Sequence, residues 1–596
     1  MPAPEAYRGL VRKLVVGIDV GTTFSGVSYA ILDPGEVPSI HTITRYPGQE
    51  NEAGNCKIPS ILYYRQDGTL HSAGAEAAVP GMELVVEDED LIFVEWFKLH
   101  LRPERLDADA ISPGRKDLRP LAPNKTAVDV LADFLGYLLA CTRRYIGETH
   151  GNGESLWNAV QDHTVFVLSH PNGWEGLQQS RMRQAAVAAG LVPNTSAGHA
   201  RIHFVTEGEA SLNFCINNGL ATNAVQEGES VIIVDAGGGT VDVSSYRFLS
   251  KSPVSVEEAT SPECILQGST RVNVRLLEFL QSFLASSAFG NEEDLKSMVD
   301  SFEKSSKPVF KDEKEPSYIK FGTMKDNDPT VNIRRGQLSL TGAQVASFFR
   351  PGLEAIFDVI KSQRDGASPA PSTVFLVGGF AANPWLYSSL KEKLTPIGVT
   401  LYRPDSHTNK AVANGAVSFF LDHFVSSRVM KTTYGTGMVV EYNPFDPVHV
   451  ARRHSKYIHP SGRIVLPHGF FILLERGTRV RENEEVSEPF QKEARDSKTL
   501  DHISSTVMCY AGRDSPKWTD LVPEMFAPLC TIHADTSQVL RESRQGPNGV
   551  YYVQSFKIIL LCGLTEMQAQ LSWVENGVEK RGPAKVVYDD DLRFSE

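Results

Sequence analysis

The stretch Val234–Ser245, VDAGGGTVDVSS, closes an apolar run with an acid, sets three glycines after it, and then resumes as strand. The flanking segments ESVIIV and VDVSSYRF are β-branched and alternate as strands do, so the glycines form a tight turn between two strands. A turn without Cβ atoms leaves backbone N–H groups unshielded, and several aimed one way make an anion-binding nest. On this stretch alone a plain hairpin turn with an exposed Asp is the favoured reading, because glycine-rich loops are common.

A second stretch, LVVGIDVGTTFSGVSYAIL (Leu14–Leu32), has the same plan. Laid on the first without gaps, Asp19 falls on Asp235, Gly21 on Gly237, Val27 on Val243 and Ser28 on Ser244. Two such elements far apart in one chain point to two halves of similar plan facing one another.

At 596 residues the chain is too long for one core, and several domains are expected. Its 41% hydrophobic and 22% charged content is that of an ordinary globular protein. A formal charge of −13 argues against a nucleic-acid partner, and the basic spots ARRHSK and EKRGPAK read as solvated loops. The seven cysteines form no C-x-x-C pair and read as reduced, buried thiols. No secretory leader or membrane-length apolar run is visible, which makes the expected location cytoplasmic.

Leu14 to about Leu101 reads as strands and turns, including KIPSILYY, and LRPERLDADAISPGRKDLRPLAPNK reads as a surface insertion. TAVDVLADFLGYLLACTRRYIG, WEGLQQSRMRQAAVAAG and TEGEASLNFCINNG read as helices ending at Gly147, Gly190 and Gly219, and TVFVLSHP as a buried strand. VNVRLLEFLQSFLASS is a further helix. In STVFLVGGFAANPWLYSSLKEKL a strand runs into Gly378–Gly379, and Asn383–Pro384 supply an N-cap and first-turn proline. NKAVANGAVSFFLDHF is a helix containing Gly415, which weakens it unless something approaches closely. Beyond Ser427 the text is β-rich, with a hairpin turn at Asn576–Gly577, and reads as an all-β sandwich.

Taken in order, these motifs resemble the actin-like ATPases, and among them the 70-kilodalton heat-shock chaperone family. GIDVGTTFS resembles its first phosphate loop, VDAGGGTVDVS the second and VFLVGGFAANP the adenosine loop. ANGAV stands at its closing helix, VFVLSHPNGWEGLQQSRMRQAAVAAGL at the segment joining the lobes, and VTEGEAS at its glutamate-bearing helix start. The similarity spans residues 14–424; the triple glycine, ILLERGTRV and the β-rich third favour this branch over the sugar kinases, which share the two-lobed plan.

The resemblance implies a two-lobed α/β actin-like ATPase domain of duplicated ribonuclease-H-like fold over 14–425 and a smaller β-sandwich over 431–596. A tail precedes it at 1–13, and a linker falls at 426–430. It implies ATP or ADP with Mg²⁺, which Asp19 and Asp235 would hold through its water shell, since Mg²⁺ dehydrates reluctantly. Phosphoryl transfer asks mainly for positioning and charge neutralisation. By resemblance Gly21, Thr22, Thr23, Phe24 and Gly237, Gly238, Gly239, Thr240 hold phosphate. Lys98 in WFKLHL stabilises the γ-phosphate and the attacking water, and Glu207 orients water or metal; with Asp19, Asp235 and Thr240 they form the implied catalytic set. Gly268, Glu303, Lys307, Gly378, Gly379 and Phe380 complete the nucleotide contacts. His170 reads as a satisfied loop histidine.

Three departures stand out. Gly208 replaces a proline associated with interdomain communication, and Ala382 an adenine-stacking arginine whose loss weakens nucleotide binding. The leucine-rich acidic linker is absent, and no long helical run follows the β-rich third, so a helical lid is not expected. The expected function is a slow Mg-ATPase whose β-domain binds a polypeptide client or protein partner, with cochaperones and with neither nucleic acid nor membrane. The alternatives are a catalytically silent nucleotide sensor, a scaffold indifferent to nucleotide, and a small-molecule kinase.

Overall fold

The computed structural model describes residues 6–50, 56–103, 118–174, 176–220, 225–404, 410–481, 484–512, 514–562 and 566–586. Most of the proline-rich insertion lies outside them. The chain divides into two units, Met1–Val425 and Ser426–Glu596. Of the linker expected at 426–430, the residues up to Val429 are strand.

In the first unit, β1 (Lys13–Asp19), β2 (Phe24–Leu32), β3 (Ile40–Thr42), β4 (Ile58–Pro59), β5 (Val165–His170) and β6 (Ile202–Thr206) form one sheet. Its order is β3-β2-β1-β5-β6, with β4 on the end of β2. The β1–β2 pair is antiparallel, whereas β1, β5 and β6 run parallel. Helices α1 (Ala127–Thr149) and α2 (Gly176–Ala188) cover the sheet and supply Leu131, Phe134, Leu138, Met182 and Ala186 to its core. Thr126 and Asp129 close a reciprocal capping box at the start of α1. This helix runs two residues past Gly147, and Met82–Asp88 is a helix inside a stretch expected to be strands and turns.

Helix α3 (Glu207–Asn217) leads to a second, eight-stranded sheet that includes β7 (Ser230–Ala236), β8 (Val241–Lys251), β9 (Val254–Glu258), β10 (Thr373–Val377) and β11 (Thr400–Tyr402). The order β9-β8-β7-β10-β11 repeats that of the first sheet: an antiparallel pair continued by two parallel strands. Period-two alternation sends Ile232, Val234 and Ala236 to one core and Val231 and Ile233 to another, so β7 is apolar throughout because both faces are covered. The first of these cores is shared with α4 (Thr270–Phe283) and α5 (Pro384–Leu394). Asn383 caps α5, its side chain accepting from the Leu386 N–H at 2.9 Å.

Helix α6 (Ala411–Asp422) contains Gly415, and the reason is contact. A Cβ there would run into the Ala210 backbone carbonyl on α3. The glycine's intrinsic helix cost is thus exchanged for close helix–helix approach.

The second unit is β-rich. One sheet has the order Tyr457–Ile458, Ile464–Leu474, Thr433–Glu441, His502–Tyr510, Phe526–Asp535, and the other Glu484–Ala494, Gly549–Cys562, Met567–Glu575, Val578–Arg581. Val507, Ile532, Leu560 and Leu571, drawn from both sheets, share one apolar cluster. Asn576 (φ 51°) and Gly577 (φ 78°) make the expected hairpin turn, where positive φ at both central residues matches the strand twist.

Candidate functional site

Backbone pairing builds the site from two hairpins. Asp19 ends β1 opposite Gly26, and Asp235, near the end of β7, faces Asp242. Between the strands the second loop closes with Gly237 N–H donating to the Thr240 carbonyl at 3.0 Å. The two loops meet tip to tip: a Cβ on Gly238 would run into the Thr23 side chain, and one on Gly239 into that of Thr22. That approach is why the second loop carries glycine rather than any small residue. A third loop arrives at Gly378, whose φ of +94° demands glycine and whose backbone lies against the Asp235 carboxylate.

These segments enclose a cavity of about 370 Å³. Of the residues singled out from sequence, Asp19, Gly21–Phe24, Lys98, Glu207, Asp235, Gly237–Thr240, Gly378 and Gly379 line it. Ala382 also lines it, so the departure from the family pattern falls on the cavity wall.

Four expected contacts do not line it. Gly268 lies behind the second loop, where the N–H groups of Gly268, Ser269 and Thr270 donate to the carbonyls of Gly239, Gly237 and Gly238 at 3.2, 3.1 and 2.9 Å. It shapes the loop from beneath. Lys307 Nζ is held by Asn273 Oδ1 at 3.0 Å and Glu303 Oε1 at 3.3 Å, away from the lining. Phe380 turns inward and stacks on Phe349 in the second sheet's core, because its ring gains more from burial there than at a polar cleft.

Four charges are locked in two pairs. Lys98 Nζ lies 2.5 Å from Glu207 Oε1 and 5.6 Å from the centre of the Trp174 ring. Glu207 sits at the first position of α3, where the helix dipole favours an acid, yet burial holds its carboxyl above the usual range against the pull of Lys98. Sequence reasoning missed Lys57, which lines the cavity and places Nζ 2.8 Å from Asp19 Oδ2. Its only sequence signal is its place directly before IPS, the strand that pairs with β2. Burial alone would raise Asp19, but the ammonium groups of Lys57 and Lys98 hold it below the ordinary carboxylate range. Asp235 accepts from Ser211 Oγ at 2.7 Å and is nevertheless pushed up to about 7, by burial first and then by the Glu207 charge.

The fit to magnesium is poor. Asp19 already accepts at both oxygens, from Lys57 at Oδ2 and from Ser169 Oγ at Oδ1 (3.0 Å), and Asp235 accepts from Ser211 Oγ. The Lys57 ammonium already pairs with one of the two carboxylates expected to hold the cation.

Gly208 also has a structural reason. Its N–H donates to Asn172 Oδ1 at 3.3 Å, a bond that proline lacks the hydrogen to make. Asn172 in turn donates to Ser244 Oγ at 2.9 Å, and its backbone N–H donates to Asp242. His170 is buried, with Gln179 at 2.9 Å and the Pro171 carbonyl at 2.9 Å, as a satisfied histidine would be.

No protein-family model matches the chain. Human heat shock 70 kDa protein 12A is 23% identical over 513 residues, covering 72% of this chain and 72% of that protein. The mouse protein of the same name is 23% identical over 525 residues, 74% of each. Its relatives are 70-kilodalton heat-shock proteins. They form an atypical, divergent branch, to which human heat shock 70 kDa protein 12B adds 28% identity over 219 residues, 36% of this chain and 30% of that protein. The mixed α/β architecture of this heat-shock-70-like chain agrees with an actin-like ATPase fold, and nucleotide binding is what that relationship implies in general. Among the described residues no helix is long and apolar enough to cross a membrane.

Proposed function

We propose that this is an Hsp70-like protein that binds ATP and ADP in the cavity and hydrolyses ATP slowly. One observation carries the reading: three glycine motifs, centred near residues 21, 238 and 378, converge on one cavity with two lysines and three acids. Backbone N–H groups and the hydroxyls of Thr22, Thr23 and Thr240 would take the phosphate oxygens. Lys98 would neutralise the γ-phosphate. As phosphate draws it away, Glu207 would accept the proton of the attacking water while the bond to the β-phosphate oxygen breaks and ADP leaves with the electron pair.

In this reading residues 14–425 form a two-lobed, duplicated domain, supported by the repeated strand order, and 431–596 form a sandwich, supported by the core its two sheets share. The second unit would bind a polypeptide client or protein partner, with cochaperones. Seven scattered cysteines without a C-x-x-C spacing fit a cytoplasmic setting.

A catalytically silent sensor is the second reading. The pairing of Lys98 with Glu207 favours it, since both groups are engaged with each other. Calorimetric titration with ATP and ADP, followed by single-turnover hydrolysis, separates the two. Binding with slow release of phosphate supports the ATPase, binding alone the sensor, and no binding removes both.

A further inference from the structure

Lys57 does not reach the cavity by chance of rotamer. It directly precedes β4, which pairs with the start of β2 through Ser25–Ile58 and Phe24–Pro59. Three residues on, Ser60 N–H donates to the Thr23 carbonyl at 2.8 Å and Ser60 Oγ to the Gly21 carbonyl at 2.7 Å. Ser25 Oγ meets Ser60 Oγ at 2.8 Å and accepts from the Gly21 N–H at 3.2 Å. The first phosphate loop and the segment bearing Lys57 are therefore one hydrogen-bonded body. Where the loop goes, the ammonium goes.

The side chain is mostly buried (19% exposed) and ends 2.8 Å from Asp19 Oδ2. An ammonium is a compact point charge with three donors, suited to phosphate as well as to carboxylate. A divalent cation on the same carboxylate would sit against this charge and would have to displace it, at full Coulomb cost in a poorly solvated site. Magnesium keeps most of its waters, and those waters would have to compete with the ammonium for the carboxylate oxygen it already engages.

We propose that Lys57 takes the place of a divalent cation on Asp19, so that nucleotide binds this cleft without magnesium. This rests on the nucleotide-cleft reading above. The ammonium bridges the Asp19 carboxylate and the polyphosphate, neutralising the repulsion between them that a metal ion would otherwise have to screen.

The test is calorimetric titration of ADP into the full chain, in EDTA and in magnesium chloride, for the wild type and for Lys57→Met and Lys57→Arg. The wild type is expected to bind with affinities that agree within about threefold in the two buffers, whereas loss of one charged hydrogen bond in Lys57→Met weakens binding in EDTA by about tenfold or more. Magnesium restores Lys57→Met at least in part, and Lys57→Arg, which keeps the charge, stays close to the wild type. Wild-type binding seen only with magnesium overturns the proposal while leaving the cleft reading intact, a result that needs no variant to fold. Equal binding in EDTA by the wild type and Lys57→Met overturns the role of Lys57. Binding in neither buffer removes the cleft reading and the proposal together.

Discussion

Lys98 and Glu207 are 109 residues apart in sequence and 2.5 Å apart in space, both side chains nearly inaccessible to water. Removing one member of such a pair strands the other charge in a low dielectric. Lys98→Met and Glu207→Gln should each lower the stability of the first unit by about 3–5 kcal/mol, and the double variant by less than either single one. Calorimetric unfolding of the three variants checks this. Additive losses would mean that the two charges are not coupled.

Gly415→Ala should destabilise, although alanine is the better helix former. In an exposed helix the change would gain about 1 kcal/mol, but here the new methyl meets the Ala210 carbonyl, and overpacking costs about 1–3 kcal/mol. A thermal unfolding scan that shows a raised midpoint would contradict the close approach of α3 and α6.

Stability should depend on pH through the buried acids of the second hairpin. Asp235 is raised from 3.8 to about 7 and Asp242 well above 3.8, in both cases by burial first. The folded chain therefore holds protons that the unfolded chain has released. The neutral carboxyls contribute fully below pH 3.8, and that contribution is lost as pH rises through the folded value, near 7 for Asp235. Each group removes about 1.4 kcal/mol per pH unit across its window. Denaturant unfolding of the nucleotide-free protein between pH 5 and pH 8 should show Asp235→Asn declining less steeply than the wild type; parallel curves would place this proton elsewhere.

Gly239→Ala should abolish nucleotide binding and leave the second unit untouched. The added Cβ meets the Thr22 side chain and wedges the two loops apart. The expected calorimetric signature is loss of the ADP binding heat with retained secondary structure by circular dichroism. Full affinity would show that the loops need not touch.

The two hairpins were legible in the sequence because everything that makes them is local. An apolar run stopped by an acid and glycines, then a second run, defines strand, turn and strand within about twenty residues, and the gapless match of Asp19 with Asp235 becomes an order of five strands that both sheets share. The caps were legible for the same reason: Asn383 and Pro384 act on their own helix. Gly415 was legible as an anomaly, though not what approaches it.

What the sequence could not fix was decided by groups distant along the chain. Lys57 on Asp19, Lys98 on Glu207, and Asn172 beneath Gly208 are pairings that no local pattern encodes, since the partners lie far apart along the chain and meet only when the sheets form. Phe380, from the third glycine motif, and Gly268, an implied contact, do not line the cavity, because burial of a ring and support of a loop are settled by packing. Sequence by itself determined the glycine loops that line the cavity. Only the tertiary structure decided which charges face it, because a buried charge takes the partner that the fold brings within reach.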